Sequence, residues 1–420
     1  MTADPSEPLD PFYRVTAEDL RGDPGDVIRS RPLTGSAALE SADSTHLVVY
    51  RSTSAMGGDR HGEPIGVSGL VAVPKGPAPV GGWPVVSWAH GTVGSADKCA
   101  PSMDSDELGP PADSGIGLLR KINKAPHTLL NAFLEAGWVV AMTDYEGLGT
   151  YGNHPYLLGE SEGRGIIDIA RAAGRLPGTA GRISDRYVIV GHSQGGQAAL
   201  FGAHLASTGR YPGGGTVLGV AALAPASNMK DGLWVAYQSP VPIEDLGGFI
   251  PLFCNGVFGG DPTIDKSQIF QDQALEKYLA DHDTKARVEL SEDPFWADRP
   301  PLAALDKPRG LFRTQVLDAA RAEAWARYWA QVDAFNPAKE IRVPIRVSLA
   351  EGDTRVLPLT TRKLIEQLDG INTDNPVRVV AYEKGTVATP EPALLGEHFG
   401  LLVDPDEVAA LVRWSGTLLT

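Results

Sequence analysis

The chain has 420 residues, enough for one large core or for a core with a sizeable insertion. With 42% hydrophobic and 21% charged residues, it has the composition of a folded globular protein and not of a disordered one. A formal net charge of -15 lacks the basic footprint that phosphate backbones require, which excludes nucleic acid as an expected partner.

No apolar run approaches the roughly 18 to 20 residues that cross a bilayer, so no transmembrane segment is expected. The first residues, MTADPSEPLDPFYRV, are acidic and punctuated by proline, without the basic and apolar regions of a signal peptide. By themselves they leave two expectations, a cytosolic protein or a leader that lies outside this chain. Cys99 and Cys254 are the two cysteines; they make either two reduced thiols or one disulfide, and their spacing does not choose. No Cys or His cluster has zinc-ligand spacing and H-E-x-x-H is absent, so no metal is expected. Asp281-His282-Asp283 reads as a solvated turn.

In chain order, the first forty-odd residues are rich in Pro, Gly and charge and read as an arm lying on the domain. Strand-like runs follow at His46–Ser52 and Pro64–Pro74, and a third, Pro84–Ala89, runs into His90-Gly91-Thr92. Pro126–Ala136 predicts a helix with Pro at its start and Gly137 just past its end. Trp138–Thr143 is the next strand, Ser161–Leu176 contains an amphipathic helix, and Val217–Leu223 is a strand beyond the Tyr187–Leu205 unit. Strands alternating with helices specify a mostly parallel sheet covered on both faces. After Ser227 the rhythm breaks until about Pro337. Helical stretches (Gln271–Leu279 and Leu317–Val332) lie there among aromatic, Gly-rich and Pro-rich loops, the length of an inserted, largely helical cap and not of a connection. The sheet resumes with Ile341–Leu349, and a last strand, Val377–Tyr382, precedes Glu397-His398; a helix over Pro405–Trp414 closes the chain. The expected division is a core over residues 1–226, a cap over 227–337 and the remainder of the core over 338–420.

The most informative stretch is YVIVGHSQGGQAALFGAHL, Tyr187 to Leu205. A β-branched run ends on Gly191-His192-Ser193-Gln194-Gly195, and an Ala/Leu-rich helical pattern follows. With 48 glycines in the chain, a serine between two of them is unremarkable. The strand before it and the helix after it make this G-x-S-x-G a sharp turn whose apex serine stands clear of the sheet as a nucleophile. A serine nucleophile needs a base, and the base an orienting acid. On such sheets they follow in the order Ser, acid, His, on loops past the strands' C-terminal ends. Asp353 follows the Ile345–Leu349 run, and of the nine histidines only His398 comes after it. Glu351 and Glu397 are the rival acids; His192, within the turn itself, reads as a packing or pocket-lining residue. Ser193, Asp353 and His398 are therefore the expected catalytic residues. The backbone amides of Thr92 and Gln194 are the expected oxyanion hole, because strands end beside the nucleophile at both positions.

These pieces, together with Asp10-Pro11-Phe12-Tyr13, Cys99-Ala100-Pro101-Ser102, Asp144-Tyr145-Glu146-Gly147, Val356 and Pro358, resemble the secretory lipase family. The resemblance spans most of the chain. It implies an α/β-hydrolase fold with a lid-like cap, hydrolysis of lipid or other carboxylic esters, and no metal or organic cofactor. It also implies Ser193, Asp353 and His398 as the triad, an extracellular setting, and a disulfide between Cys99 and Cys254 tying the cap to the sheet. Two other functions share the same residues or the same fold: an amidase, peptidase or acyltransferase on the same triad, and a binding module that has kept only the architecture. Substrate identity and oligomeric state are not readable from the sequence.

Overall fold

The computed structural model describes residues 10–104, 115–179, 181–211, 213–243, 245–302, 309–314, 318–390 and 395–420. Nine strands form one sheet: β1 (Val27–Pro32), β2 (Ala42–Thr53), β3 (Pro64–Pro74), β4 (Trp83–Ala89), β5 (Val139–Thr143), β6 (Ile183–His192), β7 (Thr216–Leu223), β8 (Ile345–Ala350) and β9 (Arg378–Tyr382). Their spatial order is β1-β2-β3-β5-β4-β6-β7-β8-β9. The stretch from β1 through β3 to β5 is antiparallel, and every pair from β5 to β9 is parallel. The central strands are continuous apolar runs, as strands covered on both faces must be. Chain direction across the sheet reverses at β4, which lies between β5 and β6, so the loops after β4 and β6 open side by side.

Fourteen helices lie among the described residues: α1 (Gly115–Lys124), α2 (His127–Glu135), α3 (Gly159–Gly174), α4 (Gln194–Ser207), α5 (Met229–Tyr237), α6 (Ile250–Gly260), α7 (Lys266–Ile269), α8 (Asp272–Asp281), α9 (Arg287–Glu292), α10 (Pro294–Ala297), α11 (Ala319–Ala334), α12 (Pro358–Ile371), α13 (Gly396–Gly400) and α14 (Pro405–Thr417). Helices cover both faces of the sheet; α3 packs on α4, and α2 on α14. The segment from α5 to α11 joins no strand of the sheet and has a hydrophobic cluster of its own, centred on Phe253, Phe258, Phe312, Trp325 and Tyr328.

Most expected elements fall where the periodicity puts them. One does not. The N-terminal arm contains β1, which pairs antiparallel with β2 at the sheet edge. Its sequence, VIRSRP, is charged and half-exposed because it has a neighbour on one side only, so it lacks the apolar run that marks the inner strands. Of the expected helix Leu317–Val332, Leu317 lies outside the described residues, and the rest is α11 shifted two residues toward the C-terminus.

The segments that carry the family resemblance meet in one place. Asp144, the first residue past β5, is fully buried; it accepts hydrogen bonds from Ser68 Oγ (2.7 Å), the Ser102 amide (3.0 Å) and Ser102 Oγ. The Tyr13 hydroxyl in turn lies 3.0 Å from Ser102 Oγ. Burial pushes the Asp144 carboxyl up to about 6, against the pull of those hydroxyl and amide donors. The arm, the Cys-Ala-Pro-Ser stretch and the Asp-Tyr-Glu-Gly turn are thus bound to each other around one acid.

Candidate active site

Ser193 sits between β6 and α4 with φ 60° and ψ -120°. For a residue with a Cβ this is strained backbone, held because strand and helix cross almost in contact. A Cβ on Gly191 would lie 2.0 Å from the Gly195 carbonyl, and one on Gly195 would lie 1.9 Å from the Ala89 carbonyl. Glycine at both positions is a steric requirement.

Asp353 and His398 meet across 45 residues of chain. His398 Nδ1 donates to Asp353 Oδ2 at 2.7 Å, while Asp353 Oδ1 accepts the amides of Arg355 (2.8 Å) and Val356 (3.0 Å). Burial opposes ionisation of Asp353, but the His398 charge and these hydrogen bonds together hold its carboxyl below the usual carboxylate range. The rival acids are occupied elsewhere. Glu351 pairs with Arg362, and Glu397 accepts the amides of Gly352 and Gly385. His192 does more than fill space. Its Nε2–H donates to the His398 carbonyl at 2.8 Å, and the two rings lie 4.4 Å apart, which brings the nucleophile turn against α13. Burial, reinforced by the charge of His398, lowers His192 to about 3, so it stays neutral and keeps that donor. No hydrogen bond joins Ser193 Oγ to another residue, an arrangement common in enzymes without substrate.

Among the described residues the Thr92 and Gln194 amides have no hydrogen-bond acceptor, Gln194 at the N-terminal end of α4 and Thr92 past the end of β4. Their surroundings contain what sequence reasoning missed. The Gln194 side chain is buried and donates to Glu162 Oε1 (2.6 Å) and His154 Nε2 (2.9 Å). His154 can accept there because its Nδ1–H is given to the Glu146 carbonyl (3.0 Å), and burial lowers its pKa to about 3. Burial pushes Glu162 up to about 8, against hydrogen bonds from Gln194 and the Leu157 amide. On the other side of the site, Thr92 Oγ1 meets the Tyr156 hydroxyl at 2.8 Å, and the Tyr145 hydroxyl donates to the His90 carbonyl at 3.0 Å. Both expected oxyanion loops therefore stand on buried polar supports. The one sequence signal was a glutamate, Glu162, on the apolar face of an amphipathic helix.

Comparison with known proteins follows this geometry. The secretory lipase family model matches residues 121–288, which run from the end of α1 through Ser193 to the start of α9. The esterase LipA from Xanthomonas oryzae, described as degrading rice cell walls, superposes with a TM-score of 0.67 at 18% identity, covering 95% of this chain and 99% of that one. Lipase A from Candida antarctica superposes with a TM-score of 0.63 at 17% identity, covering 89% of this chain and 80% of that one. Its closed state superposes with a TM-score of 0.65 at 16% identity, covering 94% and 87%. The chain has the α/β-hydrolase fold of these esterase and lipase structures. No curated protein sequence matches it.

In this fold the expected disulfide between Cys99 and Cys254 is not formed. Cys99 and Cys254 are both free and buried. Cys99 packs in the sheet core, while Cys254 on α6 packs in the α5–α11 cluster, 3.8 Å from the Tyr328 hydroxyl. Each thiol is enclosed by its own layer, so the link between layers has to be non-covalent. One such link is Gln197 on α4, whose Nε2 donates to the carbonyls of Leu157 (3.0 Å) and Phe335 (2.9 Å). Among the described residues there is no metal-ligand cluster and no helix long and apolar enough to cross a membrane.

Proposed function

We propose that this carboxylic ester hydrolase cleaves lipid or other hydrophobic esters through an acyl-enzyme on Ser193. His398 takes the Ser193 proton as the hydroxyl oxygen attacks the ester carbonyl, and Asp353 holds the imidazole in the tautomer that can accept it. The alkoxide of the tetrahedral intermediate lies against the amides of Thr92 and Gln194. Collapse expels the alcohol, which takes its proton from His398. Water deprotonated by His398 then attacks the acyl carbon, releases the acid and restores Ser193. Residues 227–337 serve as a cap over the site, and the secretory family match favours an extracellular setting.

The observation that carries this reading is the contact of the Ser193 turn with α13, which bears His398, past the C-terminal ends of the strands. A serine strained at φ 60° follows His192, whose ring lies 4.4 Å from that of His398 in the 2.7 Å Asp353–His398 pair, and the Thr92 and Gln194 amides have no partner among the described residues. Hydrolysis of p-nitrophenyl esters from short to long acyl chains, on wild type and Ser193→Ala in parallel, tests it. Wild type is expected to turn the series over and the variant to lose about a thousandfold or more in kcat while keeping its circular dichroism. A folded variant that retains activity would mean another nucleophile. A folded wild type inert on every ester would move the chemistry to amides or acyl transfer.

A further inference from the structure

Arg287, at the start of α9, is only 4% exposed, yet no carboxylate among the described residues lies within ion-pair distance of it. Its one side-chain hydrogen bond is a long one, Nη1 to Ser291 Oγ at 3.4 Å, and its guanidinium otherwise faces the Phe249 ring at 5.3 Å. The acids that act on it do so from farther off, Asp245 and Glu292, while Arg355 adds a second positive charge. Burial, reinforced by Arg355, lowers even this guanidinium to about 10. Every other strongly buried arginine has a carboxylate partner: Arg164 has Glu160, Arg171 has Asp168 and Arg346 has Glu407. A buried cation left unpaired is costly, and a protein keeps one where something else supplies the anion.

Its position says what that anion belongs to. The Arg287 amide donates to the Val93 carbonyl (3.1 Å), one residue from Thr92, and the adjoining Ala286 forms a β-bridge with Gly94. From Thr92 a continuous aromatic wall leads to the guanidinium. Thr92 Oγ1 meets the Tyr156 hydroxyl (2.8 Å), the Tyr156 ring packs on Phe253 (5.4 Å), Phe253 on Phe249 (6.3 Å), and Phe249 faces Arg287. Arg287 is thus on the oxyanion-loop side of the site. The leaving alcohol must take its proton from His398, and the acyl chain extends from the carbonyl carbon whose oxygen faces Thr92 and Gln194, so the acyl half is the part of the substrate assigned to Arg287.

We propose that Arg287 is a specificity residue that binds a carboxylate at the far end of the acyl chain, so that the preferred substrates are hemiesters of dicarboxylic acids. The apolar wall takes the methylenes and the guanidinium takes the terminal carboxylate in a charge-assisted pair. The reaction remains the serine ester hydrolysis proposed above, and the inference rests on that reading for the position of the acyl group.

The test compares p-nitrophenyl hemiesters of glutaric, adipic and suberic acid with neutral acyl esters of equal length, each corrected for uncatalysed hydrolysis. Wild type is expected to favour the hemiester of best-fitting length about 10- to 100-fold in kcat/KM, mainly through KM. In Arg287→Met that ratio should collapse to about one or below, and in Arg287→Lys it should survive in part. The Met variant should also melt higher than wild type, because it removes an unpaired buried charge that a structural arginine would not leave behind. A second measurement needs no turnover: calorimetry of monomethyl adipate on Ser193→Ala and on the double variant with Arg287→Met. Binding lost only in the double variant supports the carboxylate site even if Ser193 proves not to be the nucleophile. No hemiester preference at any length in an active wild type, a preference that survives Arg287→Met, or no calorimetric difference between the two variants would each overturn it.

Discussion

Asp353 and Asp144 occupy equivalent places in the sheet, each on the turn just past a strand, β8 and β5, and each buried. Their surroundings drive them in opposite directions. Asp353 faces an imidazole and two amides and stays below the usual carboxylate range, so it is a charge at neutral pH. Asp144 faces hydroxyls and one amide, and burial pushes it up to about 6. The first acid can orient a base; the second can bind three segments together. The difference between the two acids lies in the partner, an imidazole or a set of neutral donors, and not in position or burial.

Three measurements sharpen or break that contrast. The largest effect is expected for Asp353→Asn, which keeps the shape and leaves His398 in the wrong tautomer. It should cost about 10³- to 10⁴-fold in kcat on a p-nitrophenyl ester, with little change in urea midpoint. A loss under tenfold would mean that Asp353 does not orient His398. Asp144→Ala should do the reverse, losing about 2 to 5 kcal/mol of stability in urea unfolding because Ser68 and Ser102, on which Tyr13 rests, lose their common acceptor. Turnover of the folded fraction should fall far less than in Asp353→Asn.

The smallest effect is in the pH dependence of stability. Asp144, raised in the folded state from an ordinary value of 3.8 to about 6, contributes stability that is complete below pH 4 and is lost as pH rises through 6. Asp353, lowered in the folded state, contributes stability that is present above pH 4 and is lost as pH falls. The stability difference between wild type and Asp144→Asn should therefore shift against wild type by on the order of 2 kcal/mol from pH 4 to pH 7. That between wild type and Asp353→Asn should stay nearly constant over the same range and shift against wild type as pH falls below 4. Parallel pH curves for the two variants would remove the contrast.

The sheet was legible because its inner strands are apolar runs bounded by Gly and Pro, and the nucleophile turn because close approach of β6 and α4 demands glycine on both sides of Ser193. The pairing of Asp353 with His398 was legible because both were expected on loops that follow strands beyond Ser193. The edge strand β1 was not, since a half-exposed strand with two arginines carries no apolar pattern. Nor was the Glu162–Gln194–His154 support. Its members come from three separate segments, and nothing local to any of them marks the others.

By itself the sequence determined the succession of strands and helices and the strained backbone of Ser193, because both follow from residues adjacent in the chain. Only the tertiary structure decided which charges are buried and with whom. It set Asp353 on His398 and Asp144 on Ser102, kept Cys99 and Cys254 in separate layers, and left Arg287 enclosed with no carboxylate among the described residues in ion-pair distance. Those outcomes depend on distances between segments far apart in the chain, and such distances are fixed by packing of the whole core and not by any local preference.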